Sequence, residues 1–478
     1  MYLGIDLGTS GLRALMTDAA GKPVASAEAQ YDAQTSHPGW SEQDPGDWIT
    51  ALDHAIDQLR DTPGYGDICG IAVAGHMHGA VLLDGSDQVL RPCILWNDTR
   101  SAAEAAELDA TAKVRDLSGN IVFPGFTAPK LLWVQRHEPE IFANTAKVLL
   151  PAAYLNLHLT GRHVADMSDS AGTSWLDVGA RDWSEQLLQA GNMRRDQMPD
   201  LVEGCAAAGT LRPELAVRWG LTGPVTIAGG AGDNAAAACG TGVMGPGQGF
   251  VSLGTSGVVL TARDGFCPDP ATAVHTFCHA IPDRWYQMGV MLSATDCMNW
   301  LGRITGQSPA DLTAGLGEEL QPPGPVTFMP YLSGERTPHN SASLRGGFQG
   351  LSIATTAEDL ARAVMEGVCY GLRDCLEALR KTGAEIDSCL VIGGGSKSAY
   401  WVKLLATILD LPLQLPKDGE FGAALGAARL ARLAVTGDDP AEVLTAPESA
   451  MTVAPDPQLR DGYEAGYAAF RRRAAELT

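Results

Sequence analysis

Two copies of the tetrapeptide Gly-Thr-Ser-Gly, each preceded by leucine, stand about half the chain apart. The first lies in MYLGIDLGTSGLRALMTD and puts Gly8, Thr9, Ser10 and Gly11 at a turn between two apolar runs. The second lies in GQGFVSLGTSGVVLTARDG and repeats the pattern with Gly254, Thr255, Ser256 and Gly257. Small turns of this kind present backbone N–H groups and hydroxyls without side-chain bulk, which suits a phosphate. One in each half points to a duplicated fold that holds a polyphosphate between its halves.

Asp6 ends the run before the first turn, where a carboxylate can reach a Mg²⁺ ion bridging nucleotide phosphates. Asp233 follows Gly229, Gly230 and Gly232 and opens an alanine-rich helical stretch with Asn234 beside it. It reads two ways, as a helix N-cap or as the base that orients an attacking hydroxyl. As a base at a helix start it is expected to have a low pKa. His76 and His78 flank Met77 after an apolar run. His78 can bond sugar hydroxyls, and the i, i+2 pair could share a strand face and a metal. Gly393, Gly394 and Gly395 between a strand and a helix allow close approach of an adenosine. The Gly393–Gly395 stretch is not G-x-G-x-x-G, which disfavours a dinucleotide site there, and no G-x-x-x-x-G-K-[ST] occurs, which disfavours a P-loop. Cys267, His275, Cys278 and His279 cluster at spacings that match no common zinc pattern.

These residues must be positioned by two α/β units. Strands are expected at Tyr2–Asp6, Leu12–Asp18, Pro23–Ala29, Ile68–Ala74 and Ala80–Leu83. A helix capped by Asp44, with Pro45 at its first position, runs to Leu59. Helical segments follow at Ser101–Val114 and Ala128–Arg136, then a buried strand at Pro224–Gly230. The second half repeats strand-turn-strand from Gly249, then shows a helix from Thr356 to Lys381, a strand Cys389–Ile392 and a helix from Ser398. A strand Leu411–Leu415 and a helix Phe421–Leu433 complete it. Glycine and proline cluster at 240–247, so the domains are expected at 1–243 and 244–478, facing a cleft.

The 478 residues carry a net charge of −22 at pH 7, with 45% hydrophobic and 19% charged residues. This charge repels nucleic acid and anionic membranes, and neither is expected as a partner. No basic and apolar leader opens the sequence and no stretch matches a membrane span, so the cytoplasm is the expected compartment.

The chain resembles the FGGY carbohydrate kinases over nearly its whole length. The residues that carry this are MYLGIDLGTSG, HPGWSEQDP (37–45), GHMHGA (75–80), LRPCILWNDTR (90–100), GFTAPKLLWVQRHEPEIF (125–142), DMSDSAGTSWLDV (166–178), AGGAGDNAAAA (228–238), YLSGERTPHN (331–340), GGFQGLS with DLARAVMEG (346–367) and IGGGSKSAYW (392–401). MHGA beside WNDTR points to the members that phosphorylate D-xylulose. The resemblance implies duplicated ribonuclease-H-like domains of the actin and hexokinase type flanking a cleft. It implies ATP and Mg²⁺ as cofactors, a small sugar as substrate, and it allows a homodimer. By position, Asp233 matches the catalytic base and Asp6 the residue that positions Mg²⁺. Met77 and His78 match the sugar contacts, with Asn234 beside them. Thr255 matches a residue facing the γ-phosphate, Gly394 and Gly395 fall in the adenosine stretch, and Asn299 lies near a nucleotide contact. With these go the turn residues Gly8, Thr9, Ser10, Gly254 and Ser256. Arg13 stands where many members have lysine, and Ala231 where close relatives often have glycine. Other neutral substrates (ribulose, glycerol), gluconate, and a non-catalytic actin-like regulator remain open at this stage.

Overall fold

The computed structural model describes residues 1–317, 319–417 and 422–477. Two seven-stranded mixed sheets organise it. Five strands of the first follow the order Thr226–Ala228, Gly70–Gly75, Tyr2–Leu7, Gly11–Thr17 and Pro23–Gln30, and Ala231–Gly232 also pairs with Gly70–Gly75. The second runs His275–Cys278, Trp285–Met291, Gly257–Arg263, Gly247–Leu253, Ile386–Ile392, Leu413–Pro416 and Ser449–Val453.

The repeated tetrapeptide forms the same junction twice. Tyr2–Leu7 and Gly11–Thr17 are antiparallel, and Gly8 N donates to Gly11 O at 2.9 Å to close the turn. Gly247–Leu253 and Gly257–Arg263 pair likewise. The first strand of each hairpin also has a parallel neighbour ending level with the turn, Leu7 opposite Gly75 and Ser252 opposite Ile392. Beyond those ends lie His76–His78 in one half and Gly393–Gly395 in the other. Both loops therefore sit outside the carboxyl ends of parallel strands, where α/β sheets bind ligands.

Alternation explains the first sheet. Leu3, Ile5 and Leu7 point into one apolar layer with Trp48, Leu52 and Ile56 of the helix Pro45–Leu59. Asp44 caps that helix, as its sequence predicts. The opposite face is covered by the helix Ala423–Thr436, which packs on Tyr2–Leu7 and Gly70–Gly75 and along the helix Asp233–Thr241. A segment from the second half of the sequence thus closes the first sheet.

Most expected elements form within a residue or two. The expected helix 101–114 is instead Ala102–Asp109 followed by a separate turn of helix at Val114–Ser118, because Lys113 takes a left-handed backbone, φ 72°. Phe421, the expected start of the last alanine-rich helix, lies outside the described residues; the helix is described from Ala423. Among the described residues no helix is long and apolar enough to cross a membrane.

The two helices meet with no room for a side chain. A Cβ on Gly426 would lie 1.7 Å from the carbonyl oxygen of Ala236. Gly426→Ala is expected to destabilise the fold by about 1–3 kcal/mol, read as a lower melting temperature; an unchanged melt would show that the contact can relax.

Candidate active site

Asp6, the last residue but one of its strand, lies directly opposite Arg13 in the hairpin. Burial, then the charge of Asp233, push its carboxyl up to about 7, while Arg13 opposes the shift. Asp6 therefore lies close enough to Asp233 to feel its charge. The sheet register explains this. Asp6 is level with Ala74, and Ala74 with Ala231, two residues before Asp233.

Asp233 is the first residue of its helix, and Gly232 occupies the cap position. Its Oδ1 accepts from Asn234 N at 2.7 Å and from Asn234 Nδ2 at 2.8 Å. Those bonds lower its pKa, but burial outweighs them and the carboxyl rises to about 6. The low pKa expected from the helix start is thus corrected: loss of water costs the carboxylate more than the amides return.

Met77 and His78 lie beyond the strand end. His78 has φ 70°, a turn conformation, so His76 and His78 do not share a strand face and the metal pair that their spacing allowed does not form. His76 instead lies edge-on to Trp48 at 5.5 Å. His78 stacks on Phe126 at 4.5 Å, and its Nδ1 lies 2.8 Å from Gly172 O. Burial and the Lys130 ammonium push its pKa down to about 3. The ring is therefore neutral, Nδ1 donates to the carbonyl, and Nε2 is left as an acceptor for a hydroxyl. The loop is held from beneath: the His78 carbonyl accepts from Lys130 Nζ at 2.7 Å and from Thr127 Oγ1 at 3.1 Å.

The first turn is pinned through its acceptors. Tyr31 Oη donates to Gly8 O at 2.6 Å, Gln43 Nε2 to Thr9 O at 2.6 Å, and Trp96 Nε1 to Thr9 Oγ1 at 3.0 Å. The second turn is held by Thr295, whose N and Oγ1 reach Gly254 O at 2.9 and 2.8 Å, and by Ala294 N on Thr255 O at 2.8 Å. Ser10 and Thr255 remain exposed. Asn299, Gly394 and Gly395 line one cavity of 420 Å³ with Met298 and Trp401. The sequence-predicted residues therefore fall into two groups. Asp6, Met77, His78, Asp233 and Asn234 belong to the first sheet's rim, and Thr255, Ser256, Asn299, Gly394 and Gly395 to the second's.

A cleft of 410 Å³ between the halves is bounded by Trp96 and Phe123 on one side and Glu335 and Arg336 on the other. Arg336 lies over the Phe123 ring at 4.8 Å, with Nη1 3.4 Å from His275 Nε2. Residue-by-residue reading gave no role to Arg336, Lys130, Asp169 or Tyr286. All but Tyr286 lie within stretches that carry the family resemblance, which is the signal that could have found them. A further cavity of 530 Å³, lined by His339, Asp374 and Arg471, contains none of the site residues.

The donor set suits a magnesium ion that keeps much of its own shell. Among the described residues no three His, Cys, Asp or Glu side chains cluster as metal ligands. Asp6 and Asp233 would offer carboxyl donors to such an ion, and phosphate and water would take its remaining positions, the usual arrangement for Mg²⁺.

Comparison with known proteins concerns the chain as a whole. Residues 1–240 match the N-terminal domain model of the FGGY family of carbohydrate kinases, and residues 249–435 match its C-terminal domain model. A xylulose kinase of Escherichia coli (strain K12) is 47% identical, over 100% of this chain and 99% of its own. The crystal structure of a xyloylose kinase from Brucella ovis superposes with a TM-score of 0.97 at 55% identity, covering 100% and 99% of the two chains. A gluconate kinase from Lactobacillus acidophilus superposes at 0.91 with 25% identity, covering 99% and 97%.

Asp6 has a measurable signature. A carboxyl raised from 3.8 to about 7 binds its proton more tightly in the folded than in the unfolded chain. Folding stability therefore falls as pH rises through that interval. Asp6→Asn is expected to raise the melting temperature by about 2 °C or more at pH 8 and by less at pH 5; an equal effect at both would remove the assigned shift.

Proposed function

Because the chain belongs to the FGGY family of carbohydrate kinases, we propose that it transfers the γ-phosphoryl group of ATP to D-xylulose, giving D-xylulose 5-phosphate and ADP. The observation that carries the choice of sugar is the full-length identity of 47% to a xylulose kinase. Fold alone does not choose, since a gluconate kinase shares it.

In this reading the sugar lies between Met77–His78 and Asp233–Asn234. His78 Nε2 accepts from one hydroxyl, and the Asp233 carboxylate accepts from the hydroxyl that attacks. Raised to about 6, Asp233 is still largely ionised at pH 7 and is a better proton acceptor than an exposed aspartate. As the bond from the sugar oxygen to phosphorus forms and the bond from the β–γ bridging oxygen breaks, the hydroxyl proton passes to Asp233. Transfer is late in a loose transition state, so orientation contributes more than basicity. The two glycine turns receive the phosphates, and Asn299, Gly394 and Gly395 receive the adenosine. Mg²⁺ held through Asp6 would offset phosphate charge, which matters in a chain of net charge −22. Closure of the halves over both substrates would keep water from the phosphoryl group. We divide the domains at 243/244, with the sugar site on the first. The cytoplasm as compartment rests on ten cysteines that are all free. The homodimer rests on the family resemblance.

Two experiments test the reading. ADP release by the purified protein with Mg-ATP is expected to be fastest with D-xylulose in a panel with D-ribulose, L-ribulose, gluconate and glycerol. Preference for gluconate would move the substrate to an acidic sugar read by Arg336, and no sugar-dependent turnover would end the kinase reading. Asp233→Ala is expected to lower kcat by about 10³-fold or more with ATP affinity retained; near-normal kcat would overturn its role as base.

A further inference from the structure

The segment 166–173 is fastened at both ends to the residues just assigned to the sugar. At one end Ser168 Oγ accepts from Gly232 N at 3.1 Å, the residue before Asp233. At the other, Gly172 O takes the His78 Nδ1 bond at 2.8 Å. The approach there is close. A Cβ on Gly172 would lie 2.3 Å from His78 Nδ1 and 3.1 Å from Met77 Cε. Asp169 stands between these two anchors.

Asp169 and Asp166 are equally buried and differently satisfied. Asp166 Oδ2 accepts from the Ser168 amide at 2.6 Å and from the Asp169 amide at 3.3 Å, with the Ser168 hydroxyl as a further donor. Asp169 is 1% exposed, and neither of its carboxyl oxygens has a hydrogen-bond partner among the described residues. Tyr286, which feels the charges of Asp233, Asp169 and Asp166, turns its hydroxyl to Met77 Sδ at 3.7 Å instead. An unpartnered buried carboxyl is costly, and such a cost persists where a ligand supplies the missing donors. Asp169 feels the charge of Asp233, and the bond from Gly232 N to Ser168 Oγ ties the residue before Asp169 to the residue before Asp233.

We infer that Asp169 is a second sugar-recognising carboxyl, whose two free oxygens receive a vicinal pair of hydroxyls from the ketose held beside Asp233. The inference rests on the kinase reading above. Two neighbouring hydroxyls match the two oxygens of one carboxyl, and a site built to be filled by such donors discriminates strongly against analogues that lack one. Asp169 touches no reacting atom in this arrangement; it fixes which hydroxyl Asp233 meets.

The test uses the full-length chain with Asp169→Ala and Asp169→Asn. With Mg-ATP saturating, Asp169→Ala is expected to raise KM for D-xylulose about tenfold or more, with KM for ATP within about twofold of wild type. Asp169→Asn keeps one acceptor oxygen and should fall between the two. The margin by which wild type prefers D-xylulose over its 3-deoxy and 4-deoxy analogues should shrink in both variants. Without ligands, Asp169→Ala should melt at or above the wild-type temperature, since an unpartnered buried carboxyl has been removed. Unchanged KM and unchanged discrimination would overturn the inference, as would a variant that fails to fold or loses sugar and ATP affinity alike, which is the mark of a structural role. If wild type itself shows no sugar-dependent turnover, the kinase reading falls and this inference with it. If wild type prefers another neutral sugar, the same comparison on that sugar decides Asp169 alone.

Discussion

The backbone contact between the helices Asp233–Thr241 and Ala423–Thr436 governs the rest of the molecule. Small residues line both sides, so the helices approach until Gly426 rests on the Ala236 carbonyl. Dispersion and apolar burial increase at such short range, and any larger side chain would separate the axes. Because the second helix also lies on the strands Tyr2–Leu7 and Gly70–Gly75, one contact sets the height of the Asp233 helix above the Asp6 strand. The same helix ties the second half of the chain to its first strand.

On that frame the site concentrates charge where water is scarce. Asp6, Asp166, Asp169 and Asp233 are all raised by burial, and all but Asp233 also by a neighbouring carboxyl. His76 and His78 are held neutral by the same burial. Such an arrangement opposes folding and favours ligands, since a cation, a phosphate-bound metal or hydroxyl donors would each relieve it. Sites of this kind trade stability for function. Lys130, 0% exposed and pushed down to about 7, is spent on the His78 carbonyl and not on a carboxylate. The loop it supports needs that anchor because its backbone is left-handed at His78.

The two halves share a hairpin and differ in what stands beside it. Beyond the parallel neighbour of the first hairpin lie imidazole and thioether groups packed on aromatic rings; beyond that of the second lie glycines opening on a cavity. Side chains able to read hydroxyls in one case, and bare backbone able to accept a flat ring in the other, divide the labour between sugar and nucleotide in the proposed reaction. The division follows from local residue type acting within one repeated topology.

Much of this was legible in the chain. The repeated turns, the Asp44 and Thr356 caps and the apolar alternation of the first strands are short-range patterns, and local sterics and hydrogen bonding decide them. They gave both sheets' central hairpins and the order of most elements. The placement of Asp6 near Asp233 depended on sheet register across three strands, which no local pattern encodes. The raised pKa of Asp233 was missed because burial is the sum of distant segments, whereas the helix-end amides are local and could be anticipated. The shared face expected for His76 and His78 failed on one backbone angle. Asp169 and Arg336 carried no signal of their own: an aspartate in a short helix and an arginine in a loop are ordinary until packing removes their water and, for Asp169, its hydrogen-bond donors. The amino-acid sequence by itself determined the family, the duplicated hairpins and the identity of the acids, because these depend on neighbours in the chain. Which acids share a volume, which oxygens are left without donors and which helix seals the first sheet were decided by tertiary structure alone, because desolvation and contact are properties of segments far apart in sequence.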